Sequence, residues 1–365
     1  MQSLFAYDRC REANIQLALN YLEDHFSPDL NSMEAQDKVL LKKQSATAKQ
    51  QLLEHLAGKE AAEAGDDAAI RKEVKKALAI NTSQTSKDLA YFKKNLVSDV
   101  EKINGYYYTV LQLLIDFCEL AKSDKKSHLP LLGKNRIAAA LTSNAALQRI
   151  LLSGKGLTLD ANRTQSWYKE IIKPALLKGE FEQADGADIE IEKKVMKHLS
   201  RKLILNGTIN DFFAEYDIRW TEDHDIVKSL VDKTIKSYDE DSQQIQVQKL
   251  SLDWEDDMSF MTTLFEKAAT TEQRFKDLIA NNTKNWEVDR LPLTDRIILE
   301  MAIAELISFP SIPVKVSINE YIELTKKYST PKSPKFINGI LDVIAKELQA
   351  EGTIKKSGRG LIDNK

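Results

Sequence analysis

The hydrophobic and polar positions of the C-terminal third predict three consecutive helices. The first covers residues 290–306, with Thr294 as its expected N-cap because a short hydroxyl side chain can accept from an amide of the first turn. Pro310 ends it. Its apolar positions are Ile297, Ile298, Met301, Ile303, Ala304 and Ile307. They are too many for one narrow stripe, so we expect a central helix enclosed by others.

The second predicted helix, KVSINEYIELTKKY, covers residues 315–328 and has one apolar face. It contains a capping box pattern, in which Ser317 is the expected N-cap and Glu320 reaches back from three residues further on. This pattern predicts that the helix begins at Ser317.

The third predicted helix, KFINGILDVIAKEL, covers residues 335–348. Ser333 is its expected N-cap and Pro334 its first helical residue, a combination that favours a helix start. Gly339 lies inside the helix, where glycine is unfavourable, and therefore indicates close packing or the approach of a partner.

The same helical spacing recurs along the rest of the chain. Residues 1–26 form one predicted helix that ends before Ser27 and Pro28. Further helical patterns cover residues 30–56, 87–121, 136–152, 166–177, 189–205, 208–216, 223–238 and 258–286. Loops are predicted at residues 58–69, 123–135, 178–188 and 249–257. Because no strand pairs and no fixed repeat are present, the predicted fold class is all-α.

Composition limits the classes of partner. The 365 residues include 52 basic and 55 acidic side chains, a net charge of -3, so any affinity for nucleic acid must come from a local patch. Cys10 and Cys118 lie far apart in helical patterns, which is typical of thiols in a reducing compartment. No apolar run approaches the roughly 18 residues of a membrane span. We therefore expect a cytoplasmic protein without a membrane segment.

Motifs for catalysis are missing. The five histidines show no HExxH spacing, and no GxSxG is present. The segment SGKGL, residues 153–157, departs from a phosphate-binding loop because Arg149 stands where the leading glycine belongs and Gly156 follows the lysine. The sequence therefore predicts a non-enzyme with no cofactor and no metal.

A basic segment, KKYSTPKSPK, covers residues 326–335, which we call the basic turn. Its four lysines follow one another without an intervening acid, with Tyr328 between them and Phe336 directly after. Lysines neutralise phosphates, and exposed aromatic rings stack on unpaired bases. The alternative is a solvated helix end, with Phe336 as a core residue of the third helix.

The order of motifs in residues 286–348 resembles the NusB transcription antitermination family. The carrying motifs are a tryptophan before DRLPLTDRIIL, then AIAEL, KVSINEYIEL and KFINGILD. MQSLFAY at the start of the chain is similar to the family's first helix after its arginine-rich opening. The resemblance implies an all-α fold of two small helical bundles that binds the boxA element of RNA together with the NusE ribosomal protein.

The resemblance also implies a division of the chain. Residues 1–26 would be the first helix of the NusB-like bundle, and residues 27–206 a long helical insertion. Residues 207–286 would complete the N-terminal subdomain, residues 287–352 the C-terminal one, and residues 353–365 a flexible tail. The insertion would be either an extra helical layer that supports the bundle or a docking surface for a partner.

Site residues follow from the same resemblance, since the KFINGILD helix and the loop before it lie at the family's RNA-facing surface. The expected RNA-binding residues are Lys326, Lys327, Lys332, Lys335, Phe336 and Asn338. The expected protein-binding residues, on the central helix, are Asp295, Glu300 and Glu305. The family's arginine-rich opening is not found after Met1, so we expect either a start further upstream or weaker RNA binding.

Three functions are consistent with these features. The first is a non-catalytic adaptor that joins boxA-like RNA and the NusE ribosomal protein to the RNA polymerase elongation complex. The second is a NusB-like domain related to RNA cytosine methyltransferases, which would require a glycine-rich S-adenosylmethionine loop and a catalytic cysteine that this sequence does not show. The third is a helical protein-interaction module that has lost RNA binding.

Overall fold

The computed structural model describes residues 1–31, 33, 35–58, 68–124, 130–181, 188–270, 273–282 and 291–364. Within these ranges the chain is helical and contains no strand, which confirms the all-α class; an isolated antiparallel bridge joins Asp239 and Gln244. Two compact units are present. The discontinuous unit consists of Met1–Val97 and Glu255–Lys365, and the inserted unit is Ser98–Trp254.

The α-helices, in chain order, are α1 (Gln2–His25), α2 (Lys38–Leu56), α3 (Ala68–Ser123), α4 (Pro130–Gly133), α5 (Arg136–Ser143), α6 (Ala145–Leu152), α7 (Ala161–Trp167), α8 (Lys173–Leu177), α9 (Ile189–Leu205), α10 (Gly207–Tyr216), α11 (Trp220–Lys236), α12 (Trp254–Ala269), α13 (Gln273–Asn282), α14 (Leu293–Ser308), α15 (Val314–Tyr328) and α16 (Ser333–Ala350). A π-helical turn, Tyr168–Ile172, connects α7 to α8, and a 3-10 helix covers Gly358–Asn364.

Helix α14 is the centre of the discontinuous unit. Every residue from Ile297 to Leu306 except Glu300 is buried, and α1, α13, α15 and α16 pack around it. Leu4 and Tyr7 of α1 join the same apolar core. The prediction of a central, enclosed helix is therefore confirmed, because apolar side chains on every side of a helix require neighbours on every side.

A second apolar core of the discontinuous unit lies among α1, α2 and the start of α3. It contains Ala18, Leu22, Phe26, Ala48, Leu52, Ile70, Val74 and Ala77. The predicted first helix, residues 1–26, is confirmed as α1. Helix α2 begins later than the apolar pattern indicates, at Lys38, because the Asp37 side chain accepts hydrogen bonds from the amides of Val39 and Leu40 and caps it.

Helix α3 is longer than predicted. The pattern indicated residues 87–121, whereas the helix begins at Ala68 and has 56 residues. Its first turns contain neither glycine nor proline, and Ile70, Val74 and Ala77 pack in the core just described, so tertiary contacts stabilise them. Only part of the helix shows a long apolar stripe, which is why the sequence pattern missed its start.

The inserted unit has its own core around the second half of α3. Tyr106 and Tyr107 are both buried although they are adjacent, because different helices cover the two faces of α3. The Tyr106 ring packs against Phe213 and Trp220, whereas the Tyr107 hydroxyl lies 2.5 Å from Thr234 Oγ1. Burial raises the pKa of both phenols to about 12.

Two of the predicted N-caps lie inside helices. Helix α14 begins at Leu293 after Pro292, one residue before Thr294, and α15 begins at Val314 after Pro313. Ser317 is fully buried, and its hydroxyl has no hydrogen-bond partner among the described residues. Pro292 and Pro313 occupy the N-cap positions with an extended backbone, and because proline disfavours a helical conformation of the residue before it, neither helix extends further towards the N-terminus.

The third predicted cap has another role. Ser333 is the first residue of α16, and Lys332 occupies the N-cap position without a side-chain hydrogen bond. The Ser333 hydroxyl instead donates to the side chain of Asp295. The cap patterns therefore located the helix starts to within a few residues, but the hydroxyls named as caps do not occupy the N-cap positions.

The predicted flexible tail is packed in the structure. Ile354 is buried in the core around α14, the Lys356 ammonium donates to the Phe309 carbonyl oxygen at 3.0 Å, and the Ser357 amide donates to the Pro310 carbonyl oxygen at 3.0 Å. One buried apolar side chain and two polar contacts therefore hold this segment against the rest of the discontinuous unit.

The predicted turn at residues 249–257 is shorter than expected, because α12 begins at Trp254. The predicted linker at residues 123–135 includes the single helical turn α4. Trp286, Arg290, most of the predicted loop at residues 58–69 and most of that at residues 178–188 lie outside the described residues.

Both cysteines are present as free thiols. Cys118 is buried, and burial raises its pKa to about 12, whereas Cys10 is half-buried; neither forms a disulfide. In the part of the chain that the structure describes, no helix combines the length and apolarity needed to cross a membrane, and no cluster of His, Cys, Asp and Glu could hold a metal ion.

Candidate nucleic-acid interface

The basic turn joins the end of α15 to the start of α16. The side chains of Lys326, Lys327, Lys332 and Lys335 are all exposed. Lys326 forms an ion pair with Glu323 at 2.5 Å, and the Lys327 ammonium lies 5.3 Å from the centre of the Tyr328 ring. No ion pair joins Lys332 or Lys335 to another described residue, so these two ammonium groups present uncompensated charge to solvent.

The side chain of Asp295, on α14, anchors the basic turn to the central helix. Its carboxylate is 2% exposed, and its two oxygens accept hydrogen bonds from Ser329 and, at 2.8 Å, from Ser333. The Thr330 hydroxyl lies 2.8 Å from the Ser333 hydroxyl and extends this network. Because a buried carboxylate and its hydroxyl donors satisfy one another, the network fixes the turn between α15 and α16 on the central helix.

Two of the three residues expected to bind protein are buried. Asp295 serves the network just described, and Glu305, 6% exposed, accepts a hydrogen bond from the Tyr321 hydroxyl at 2.7 Å. Burial, together with the adjacent Glu305 charge, raises the pKa of Tyr321 well above its ordinary value, so this phenol remains a donor. Neither carboxylate reaches the surface of α14. Both act inside the bundle.

Glu300 is the acidic residue of this group that keeps some exposure. Burial raises the pKa of its carboxyl above the ordinary value of 4.5, although the nearby cations Arg296 and Lys276 act in the opposite direction. Among the three predicted protein contacts, only Glu300 therefore has a surface from which it could act.

Phe336 and Asn338 are both half-buried on α16. The Phe336 ring packs against the core around α14, as its alternative role as a core residue requires. The Asn338 amide lies 3.5 Å from an oxygen of Asp342, at the limit of a hydrogen bond. Lys335, Phe336 and Asn338 lie in the first turns of α16, whereas Lys326 and Lys327 lie in the last turn of α15, so the predicted RNA-binding residues meet at the junction of the two helices.

Gly339 lies on the exposed side of α16. A Cβ atom placed there would meet no described atom within 4 Å. Close packing against the described residues therefore does not explain this glycine, and the approach of a partner stays a prediction.

The SGKGL segment is a helix end, as its departures from the phosphate-loop pattern indicated. Helix α6 ends at Leu152, Gly154 has a left-handed φ of +71°, and the Leu157 amide donates to the Thr109 hydroxyl at 2.7 Å. The segment borders a cleft of about 670 Å³ with the half-buried Asp116, whose pKa burial raises. A cleft with carboxylates does not favour phosphate.

These features define an all-α bundle with a basic edge formed by the junction of two helices. Residues 216–346 match the family described as the NusB family. The match begins at the end of α10 and ends in α16, so it includes the central helix, α15 and the basic turn.

Relatives of known name match the same part of the chain. The transcription antitermination protein NusB of Salinibacter ruber is 42% identical over 103 residues, which are 28% of this chain and 64% of the relative. That of Chloroherpeton thalassium is 44% identical over 103 residues, 27% of this chain and 49% of the relative. That of Natranaerobius thermophilus is 42% identical over 89 residues, 24% of this chain and 64% of the relative.

The match thus spans about half to two-thirds of the length of these relatives. No solved structure matches the chain. The family match begins at residue 216, whereas the inserted unit continues to Trp254, so the family limits and the compact units divide the chain differently. The domain limits set out from the sequence remain predictions.

The sequence did not reveal that Asp295 anchors the basic turn. Two features of the sequence could have indicated this contact. One is an acid at the start of the otherwise apolar helix α14, and the other is a pair of serines, four residues apart, at the junction of α15 and α16. A carboxylate among apolar positions indicates a buried acceptor whose donors lie elsewhere in the chain.

Proposed function

We propose that the protein is a NusB-like transcription antitermination factor. In this role it binds boxA-like single-stranded RNA through the basic turn, together with the NusE ribosomal protein, and joins both to the elongating RNA polymerase. The observation that carries the proposal is that Lys332 and Lys335 are exposed, without an ion-pair partner among the described residues, inside the stretch that matches the NusB family.

The electrostatics of the basic turn support RNA as the ligand. The chain has a net charge of -3, so a polyanion must be drawn by a local patch. No side chain caps the first turn of α16, and the positive end of the helix dipole adds to the two lysines on either side of Pro334. The half-buried Tyr328 offers ring area beside the same lysines.

In this proposal the protein is a cytoplasmic, non-catalytic adaptor, with Glu300 as the acidic residue available to a protein partner. The rigid anchoring of the basic turn by Asp295 supports such a role, since a preorganised surface loses less conformational freedom on binding. All three relatives are named transcription antitermination protein NusB, which supports a role in antitermination.

The test is a titration of boxA-like single-stranded RNA, with and without the NusE ribosomal protein, using the K332A/K335A variant. The double variant is expected to bind more weakly, and the slope of log affinity against log salt should fall by about 0.7 for each lost phosphate contact. The partner is included because joint binding raises an affinity that is weak for RNA alone.

The matched control is K346A/K355A, which removes the same charge at two exposed positions of the discontinuous unit outside the basic turn. Its binding curve should overlay that of the unchanged protein. If K332A/K335A also overlays it at every salt concentration, the basic turn is only a solvated helix end, and a protein-interaction module without RNA binding becomes the better description.

A further inference from the structure

The exposed face of α9, in the inserted unit, carries a stripe of positive charge. Lys194, Lys197, His198 and Arg201 follow one another at the spacing that places side chains on one side of a helix. The opposite side of α9 is apolar and buried in the core of the unit through Val195, Met196 and Leu199. The stripe is thus the solvent-facing side of a helix whose position is set by packing.

The stripe lines a groove of about 420 Å³ whose other wall includes Glu180, at the end of the segment that follows α8. The Lys202 ammonium lies 2.5 Å from the Glu180 carboxylate, and the proximity of Lys202, Lys178 and His198 lowers the pKa of that carboxyl. We call this arrangement the α9 groove.

Positive charge dominates the described residues of the α9 groove. The described residues that line it include three cations, Lys194, Lys197 and Arg201, and one acid, Glu180. Lys202 pairs with Glu180, and Asp232 of α11 lies 3.7 Å from the Arg201 guanidinium. Like charges at this spacing destabilise a helix, so the arrangement is unfavourable for folding alone. A ligand that brings negative charge would relieve it.

We propose that the α9 groove binds the phosphodiester backbone of single-stranded RNA, as a second contact beyond the basic turn. This inference rests on the proposed function, since it assigns the inserted unit a share in binding the same class of ligand. The residues that line the groove all precede residue 216, where the family match begins.

The spacing of the cations favours a chain of phosphates over a single phosphate. From Lys194 to Arg201 the stripe extends about 10 Å along the helix axis, and its charges do not converge on one point. A polyanion that runs along the groove can meet several of them in succession, as in other surfaces that follow a nucleic-acid backbone.

Among the described residues of the α9 groove, no exposed Phe, Tyr or Trp side chain is available to stack on a base. Phe181, the aromatic residue next to Glu180, is buried, and its ring contacts His198 edge-on at 4.9 Å, so it offers no exposed face for stacking. The contact is therefore to phosphate and independent of sequence, and it adds affinity without adding specificity.

The test uses the full chain and a labelled boxA-like single-stranded RNA oligonucleotide, titrated over a range of salt concentrations. The K197A/R201A variant should bind more weakly and show a salt slope lower by about 0.7 for each lost phosphate contact. Neither side chain is buried, so the melting temperature should not fall, which would show that the fold is intact. The matched control is K155A/K169A, two exposed lysines of the same unit outside the groove.

A variant of opposite sign sharpens the test. Glu180→Gln removes a carboxylate from the α9 groove and leaves Lys202 without its acidic partner, so RNA should bind more tightly. An oligonucleotide of unrelated sequence should respond to K197A/R201A by the same factor, because the contact is to the backbone.

The outcomes separate this inference from the proposed function. If K332A/K335A weakens binding whereas K197A/R201A and E180Q match the control, the α9 groove is a solvated surface and the inference is overturned while the proposed function stands. If the α9 variants alone change binding, the inference stands and the basic turn loses its assigned role. Absence of any RNA binding by the unchanged protein at low salt overturns both.

Discussion

At the scale of single residues, the C-terminal bundle depends on carboxylates that face inward. Asp295 and Glu305 lie on the central helix, and each accepts from hydroxyls of neighbouring helices. Their acceptor oxygens are satisfied, so burial does not leave the polar groups without partners. The consequence is that residues resembling an acidic contact surface instead connect α14 to α15 and to the start of α16.

Removing the Asp295 side chain should destabilise the fold and loosen the basic turn. In Asp295→Ala the hydroxyls of Ser329 and Ser333 lose their shared acceptor, and leaving buried polar groups without a partner costs about 1–3 kcal/mol. Urea unfolding measures this loss. The triple variant D295A/S329A/S333A removes donors and acceptor together and should recover part of the stability; if it falls by the sum of the separate losses, the network is not the cause.

Glu300 gives a pH-dependent effect of predictable sign. Its folded-state pKa is raised above 4.5, so its favourable contribution to the free energy of unfolding is complete at low pH and declines as the pH rises through the raised value. The charged groups acting on it are Arg296, Lys276, Asp8 and Arg11.

Glu300→Gln should therefore be more stable than the unchanged protein at about pH 8 and close to it at about pH 4, because glutamine never carries the charge that the half-buried site disfavours. Urea unfolding at the two pH values measures the difference. A variant that is less stable at the higher pH would show that the nearby cations outweigh burial.

At the scale of elements, the starts of helices α14, α15 and α16 show how a helix is positioned. Prolines begin the first two, whereas the hydroxyls expected to cap them lie inside the helices. In α16, Ser333 bonds to another helix and not to its own first turn. The helix starts thus follow from backbone restriction and from interhelical bonds, and side-chain caps contribute little at these three points.

A substitution at Gly339 in α16 is expected to change the stability of the fold and the binding of a partner in opposite directions. Gly339→Ala should raise the free energy of unfolding by about 0.5–1 kcal/mol, since alanine loses less conformational freedom in a helix interior and the added methyl meets no described atom within 4 Å. Binding of RNA or of the ribosomal partner should weaken at the same time if a partner approaches this face closely.

The control for Gly339→Ala is Lys346→Ala, an exposed position of the same helix whose change leaves the backbone freedom nearly unaltered. Equal binding by Gly339→Ala and the unchanged protein would leave the glycine without a role in partner approach and make it a simple cost to helix stability.

At the scale of the whole molecule, a chain of net charge -3 nevertheless has local groups of cations, among them the basic turn in the discontinuous unit and the α9 groove in the inserted unit. The sequence revealed the first because its lysines are adjacent along the chain. The α9 groove was not predicted, because the cations of α9 alternate with buried apolar residues, which is the pattern of an ordinary amphipathic helix. Whether such cations line a groove depends on how the helix packs in the fold, and the sequence pattern does not show this.

The sequence by itself determined the helical class and the central position of α14. It also determined that the lysines of the basic turn lie together at the junction of α15 and α16. Each of these follows from local periodicity, which a helix expresses wherever it is placed. Only the tertiary structure decided that Asp295 and Glu305 face inward, that Ser317 lies buried inside α15 and that α3 begins at Ala68. Their states depend on partners on other helices, such as Ser329 for Asp295 and Tyr321 for Glu305, and local spacing along the chain carries no information about which helices meet.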